Sequence, residues 1–143
     1  MTDLSIIIVS FNTKKLILDC LESIRQTTNF QDLEIIVIDN ASTDGSVEAI
    51  KANFPQVKLI PNSTNTGFAA ANNQGIRQSK GDYIMLLNSD TIVKPNALQI
   101  LIDYLDSHPQ VGIAAPQLLN PDGSIQPNGG FLPRLSNILS WML

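Results

Sequence analysis

Three polar clusters in this chain each follow an apolar run, and each holds side chains able to do chemistry. Asp39 closes the run Leu33 to Asp39, with Asn40, Ser42, Thr43 and Asp44 directly behind it. A carboxylate there is costly unless it is paired or at the surface. It either accepts a hydrogen bond from a base N–H or a ribose hydroxyl, or it caps its own turn. Asn88-Ser89-Asp90 closes a second run. Side chains two apart share a face where the segment stays extended. Asp90 offers a hard oxygen to Mg²⁺ or Mn²⁺, ions often held by one or two carboxylates plus substrate phosphates; the other reading is that Asp90 begins a turn before Pro95. Ser10-Phe11-Asn12 closes a third run. Phe11 can stack on a nucleobase or fill the core. Asn12 suits a helix cap, a ligand contact, or both.

A weaker signal lies in Asn62-Ser63-Thr64-Asn65-Thr66-Gly67-Phe68, a glycine-containing turn into a helix. Backbone N–H groups at a helix start favour anions. Asn72 lies one turn in and can face the same ligand; an ordinary capped helix explains the pattern as well. His108 is the single histidine and precedes Pro109, where it suits capping of helix-end carbonyls. With one Cys and one His the chain has no zinc site of ordinary composition and no Ser/His/Asp or Cys/His constellation.

These clusters need a scaffold that brings them together. Ile6 to Val9 is β-branched without alternation, as in a parallel strand covered on both faces. The pattern predicts strands at Leu4 to Phe11, Leu33 to Asp39, Val57 to Ile60, Asp82 to Asn88 and Val111 to Ala115. The core of the fourth is the continuous apolar run Tyr83 to Leu87. Helices are expected from about Lys14 to Thr27, from Ser42 or Asp44 as caps to Phe54, from Phe68 to Ser79, and after Pro95, where Leu98, Leu101, Ile102 and Leu105 form one stripe. Pro121-Asp122-Gly123 predicts a hairpin joining Gln117–Leu119 to Ser124–Gln126. Repeated βα units imply an α/β fold, a mainly parallel sheet with helices on both faces. Ligands in such sheets bind at the carboxyl ends of the strands, the rim on which all three clusters fall.

Composition narrows the function classes. The chain has 143 residues, 43 % of them apolar and 15 % charged, which suits one globular domain. No apolar run approaches a bilayer span, and Met1-Thr2-Asp3-Leu4 lacks a signal-peptide n-region. The net charge is −4, with no basic stripe, which argues against nucleic acid as a partner. An acidic chain that binds a phosphate needs local donors, a helix N-terminus or a bridging cation. Cys20 stands alone, so no internal disulfide forms; this fits a cytoplasmic, reducing setting.

Taken together, the motifs resemble family 2 glycosyltransferases, with their GT-A fold, and within them the rhamnosyltransferase-like branch. The matching stretches are Ile8-Val9-Ser10-Phe11-Asn12, Val37 to Ser46, Asn65 to Gly75, Gly81-Asp82-Tyr83 and Leu87 to Thr91. The resemblance implies a nucleotide-sugar-binding domain over residues 1–130, followed by the start of a C-terminal helical segment at 131–143. It implies a nucleoside-diphosphate-sugar donor, dTDP- or UDP-linked, and a glycan or lipid-linked acceptor. By the same analogy Asp39 reads the base, with Ser10, Phe11 and Asn12 beside it. Asn65, Gly67, Asn72, Asn88 and Ser89 complete the donor site, and Asp90 takes the metal-binding last position of the family's Asp-x-Asp, here Asn-x-Asp. Ala71 stands where the family often carries an arginine.

The family inverts the sugar by direct displacement, with an acidic side chain as base on the acceptor hydroxyl. No residue here is a candidate for that base; Asp122 lies in the hairpin turn. The chain is therefore expected to be the donor-binding part of a transferase, working in the cytoplasm or at the inner face of the membrane. The alternative is a non-catalytic nucleotide-sugar-binding module or inactive fragment. Leu135, Ile138, Leu139 and Met142 fall on one helical face with nothing following to cover it, a candidate dimerisation surface. A dinucleotide-binding dehydrogenase is rejected, because Ser10-Phe11-Asn12-Thr13-Lys14 has no glycine after the first strand.

Overall fold

A computed structural model describes residues 4–28 and 33–127. The elements run β1 (Leu4–Ser10), α1 (Lys14–Thr27), β2 (Leu33–Asp39), α2 (Ser46–Asn53), β3 (Lys58–Pro61), α3 (Phe68–Ile76), β4 (Tyr83–Asn88), α4 (Ala97–Ser107), β5 (Leu118–Leu119) and β6 (Ile125–Gln126). The first four strands form one parallel sheet in the order β3-β2-β1-β4. β5 and β6 form the expected antiparallel hairpin. The expected dimerisation surface and the 131–143 segment lie outside the described residues.

The two faces of the sheet are covered by different helices. On one face Ile6, Ile8, Ile35 and Val37 pack with Ile17, Leu21 and Ile24 of α1, Ile50 of α2 and Leu98 of α4. On the other, Ile36 and Ile38 pack with Ala71 of α3. Burying such β-branched strands on both faces is the main drive for the fold, at about 25 cal/mol per Å² of apolar surface. α3 approaches closely because Gly75 presents no side chain: a Cβ there would stand 2.4 Å from Ile7 Cγ2.

Two expectations are corrected. Tyr83 to Leu87 is not covered on both faces. β4 alternates, with Met85 and Leu87 on the main core and Ile84 and Leu86 45 % and 52 % exposed. The cause is the placement of α3, which packs on β1 and β2 rather than on β4. Val111 to Ala115 forms no strand either. No strand among the described residues pairs with it, and Ile113 is 90 % exposed. β propensity is a fit to a neighbouring strand, and without one it produces nothing.

At the opposite end of the sheet a partly buried polar knot around Ser5 fixes the entry to β4. Ser5 Oγ donates to Glu34 Oε2 at 2.6 Å, and the Gly81 amide donates to Ser5 Oγ at 2.9 Å. His108 meets its expected role, with Nδ1 2.9 Å from Tyr104 O at the end of α4.

Gly75→Ala gains the roughly 1 kcal/mol of intrinsic helix preference that alanine has over glycine. It also forces the α3–β1 contact apart, an overpacking cost of about 1–3 kcal/mol. We expect a net loss of stability in urea unfolding, whereas a gain would show that α3 can move outward freely.

Candidate functional site

Strand register assembles the site. Ser10 is paired with Asp39, and Val9 with Asn88, so the three polar clusters emerge side by side at the carboxyl edge of β1, β2 and β4. A cavity of about 360 Å³ opens there, lined by Val9, Phe11, Thr13, Leu16, Asn40, Asn65, Phe68, Asn88, Ser89 and Asp90. Phe11, Asn65, Asn88, Ser89 and Asp90 are thus brought together as expected from sequence. Asp39, Ser10, Asn12, Gly67 and Asn72 stand behind or beside that lining.

Asp39 is 1 % exposed. Its Oδ1 accepts the Ser42 amide at 2.9 Å, while Oδ2 is buried with no partner among the described residues. An unmatched buried acceptor costs about 1–3 kcal/mol, more when charged. Ser10 is buried too; its hydroxyl lies 3.0 Å from Thr13 Oγ1, which donates to Ser89 Oγ at 3.3 Å. This chain of hydroxyls ties the end of β1 to the end of β4.

Asn12 does not cap α1. Its backbone sits at φ 53°, its N–H donates to Ser42 Oγ at 2.9 Å, and its Oδ1 accepts the Thr43 amide at 2.8 Å. The N-cap position of α1 is Thr13, which makes no side-chain capping bond. The work is done from another loop: Asp44 Oδ2 accepts the Lys14 amide at 2.8 Å, while its Oδ1 accepts the amide and hydroxyl of Ser46 at the start of α2. The Ser46 hydroxyl, followed by the backbone amides of Lys14 and Ser46, holds the Asp44 carboxyl below the usual carboxylate range. Ala41, between these contacts, takes the left-handed conformation at φ 70°. That costs an L-residue about 1–2 kcal/mol.

The other rim is set by the loop before α3. Asn65 Oδ1 accepts the Gly67 amide at 2.9 Å, and Gly67, at φ 83° and ψ 162°, occupies a region that only glycine enters easily. Asn72 is buried and commits its amide to Phe68 O at 3.0 Å. Ala71 faces the sheet and not the cavity.

Residues 88–91 do not stay extended. Thr91 N donates to Asn88 O at 3.3 Å, closing a turn. Asn88 and Asp90 therefore reach the cavity through that turn, and not along one strand face as expected from their alternation. Asp90 is exposed and is the one carboxylate among the lining residues. No group of three or more His, Cys, Asp or Glu suited to a metal ion occurs among the described residues. Sequence reading missed Val9, Thr13, Leu16, Asn40 and Phe68 as lining residues. The i, i+3 spacing of Thr13 and Leu16 at the start of α1 was the available signal.

The family model described as Glycosyl transferase family 2 matches residues 5–128. The chain belongs to that family. It is 38 % identical over 101 residues to a glycosyltransferase, GlyG, of Streptococcus pneumoniae, a match covering 68 % of this chain and 33 % of that protein. It is 29 % identical over 114 residues to an N-acetylglucosaminyl-diphospho-decaprenol L-rhamnosyltransferase of Mycobacterium tuberculosis, covering 72 % and 37 % respectively. Among solved structures, the Pyrobaculum calidifontis mannosyltransferase PcManGT, in complex with GDP-Man and Mn²⁺, superposes with a TM-score of 0.66. That match has 25 % identity and covers 71 % of this chain and 32 % of that one. The GT-A architecture is thereby shown, and the chain spans about a third of the length of these relatives.

Asp44 provides a test of how the rim is held. A carboxyl whose folded pKa is depressed adds stability above its unfolded value, near 3.9, and loses it as pH falls through the folded value. The stability gap between wild type and Asp44→Asn should therefore be widest at neutral pH and close below about pH 4. A gap independent of pH would show that the carboxylate charge does not hold the rim.

Proposed function

We propose that this chain is the donor-binding part of an inverting glycosyltransferase, holding a nucleoside-diphosphate sugar in the cavity at the carboxyl rim. The observation that carries this is Asp39: a fully buried carboxylate with one oxygen engaged and one orphaned, beside a cavity rimmed by Phe11, Asn65, Asn88 and Asp90. A base or ribose donor offers that oxygen the partner it lacks. Phe11, 46 % exposed on the same rim, offers a flat apolar face to a base.

The residues present fit a divalent cation shared with the ligand. Asp90 supplies one hard oxygen and Asn88 a neutral side-chain oxygen, too few for a cage but enough when a diphosphate contributes. Mg²⁺ or Mn²⁺ held in this way would neutralise charge developing on the leaving diphosphate. The Mn²⁺ in the PcManGT complex supports the same reading. The name of the rhamnosyltransferase relative favours a lipid-linked or glycan acceptor, and the resemblance of the motifs to that branch is what favours a dTDP- or UDP-linked donor. A cytoplasmic setting belongs to this reading and rests on the lone, buried Cys20.

A binding role without turnover is favoured by one observation. Asp90 alone among the lining residues is a carboxylate, and it cannot both hold a cation and deprotonate an acceptor. Repeated sugar transfer by the purified chain would refute that reading and leave the transferase reading standing.

Asp39→Ala should weaken nucleotide binding by about 1–3 kcal/mol. Calorimetric titration with dTDP, UDP and GDP checks this, and unchanged affinity would remove Asp39 from the site. GDP binding in preference to the pyrimidine nucleotides would overturn the donor assignment.

Cation and nucleotide should bind with positive, reciprocal coupling. Titrations with Mn²⁺ or chelator should differ in the wild-type chain and coincide in Asp90→Asn, with the fold intact because Asp90 is on the rim. Equal wild-type affinities under both conditions would sink the shared-cation idea.

A further inference from the structure

We infer that Asn40 is a positioning residue: it ties the loop over residues 62–67 to the end of β2 and so sets Asn65 in the wall of the cavity. The inference rests on the proposed nucleotide site.

Asn40 is 2 % exposed, and its backbone N–H is fixed on Ser10 O at 2.8 Å. Both ends of its side-chain amide are committed to one loop. Nδ2 donates to Asn65 Oδ1 at 3.1 Å and to Gly67 O at 3.4 Å. Oδ1 accepts from Asn62 Nδ2 at 3.0 Å, from Thr66 Oγ1 at 3.1 Å and from the Thr66 amide at 3.4 Å. Four loop residues thus converge on one side chain.

The loop has little else to hold it. Ser63 to Phe68 are exposed, and Gly67 has open space where a Cβ would be. Its other tie to the sheet edge is the Asn62 amide on Asp39 O at 2.8 Å, at the start of the loop. Asn65 and Phe68, which line the cavity, come after that tie. Phe68 opens α3, which the sheet holds through Ala71 and Gly75, whereas the position of Asn65 depends on Asn40, and the amide has no acid–base chemistry of its own to offer a ligand.

The test uses the whole 143-residue chain. UDP affinity is measured with Mn²⁺ by calorimetry, and amide exchange is followed at Thr66 and Gly67. Asn40→Ala should weaken UDP about tenfold and speed exchange at both amides. Thr66→Val removes one donor to Asn40 at an exposed position, so it keeps the fold. It should give a smaller loss in the same direction with an unchanged melting temperature. Because Asn40 acts through Asn65, the double variant Asn40→Ala/Asn65→Ala should bind UDP no more weakly than Asn65→Ala alone.

Unchanged UDP affinity in Asn40→Ala and Thr66→Val, or fully additive losses in the double variant, would overturn the positioning role while leaving the nucleotide site in place. If the wild-type chain binds none of UDP, dTDP and GDP, the reading of the site fails and the positioning role fails with it.

Discussion

Everything at the rim depends on the register of β1 between β2 and β4. Those three strands are parallel and apolar, and their pairing puts Ser10 opposite Asp39 and Val9 opposite Asn88. A slip of one residue would turn Ile6 and Ile8 to the face of Ile7 and empty the main core. The site residues are not clustered by attraction to one another. They are delivered to one edge because the apolar residues behind them admit a single alignment.

Once delivered, the rim loops are held by bonds that cross between them. None of α1 to α4 is capped by the side chain of its own N-cap residue. Instead Asp44 serves the starts of both α1 and α2, and Asn12 engages Ser42 and Thr43. The arrangement bends the backbone into left-handed conformations at Asn12 and Ala41. Strain of this kind persists where surrounding contacts over-determine the conformation, and it gathers at functional sites.

The same distinction decides what the sequence could reveal. β1 and β2 were legible because their periodicity is local and their burial nearly complete. The hairpin at Pro121-Asp122-Gly123 was legible because turn chemistry is local too. The strand expected at Val111 to Ala115 was not refuted by its own residues; among the described residues it lacks a neighbour, which only topology supplies. Ile84 and Leu86 read as core for the same reason, since the run Tyr83 to Leu87 does not say where α3 will lie. Within the site, Asp39 stood out as a carboxylate costly to bury at a strand end, and Asp90 as a hard oxygen just past one. The contacts of Asn40 span 22 to 27 positions and leave no mark in spacing.

The electrostatics of the cavity follow from its lining. Among the ten residues that line it there is one carboxylate and no lysine or arginine. An anionic diphosphate entering this space therefore meets polar amides and hydroxyls, apolar walls and a like charge at Asp90. Two unit charges 4 Å apart repel by about 4 kcal/mol at an effective dielectric of 20. Neutral donors worth about 1 kcal/mol each would be consumed in offsetting that single contact. In the proposed reading a divalent cation between the two anions would replace their repulsion with an attraction to each. Asp90, otherwise an obstacle to the ligand, would then become half of its anchor.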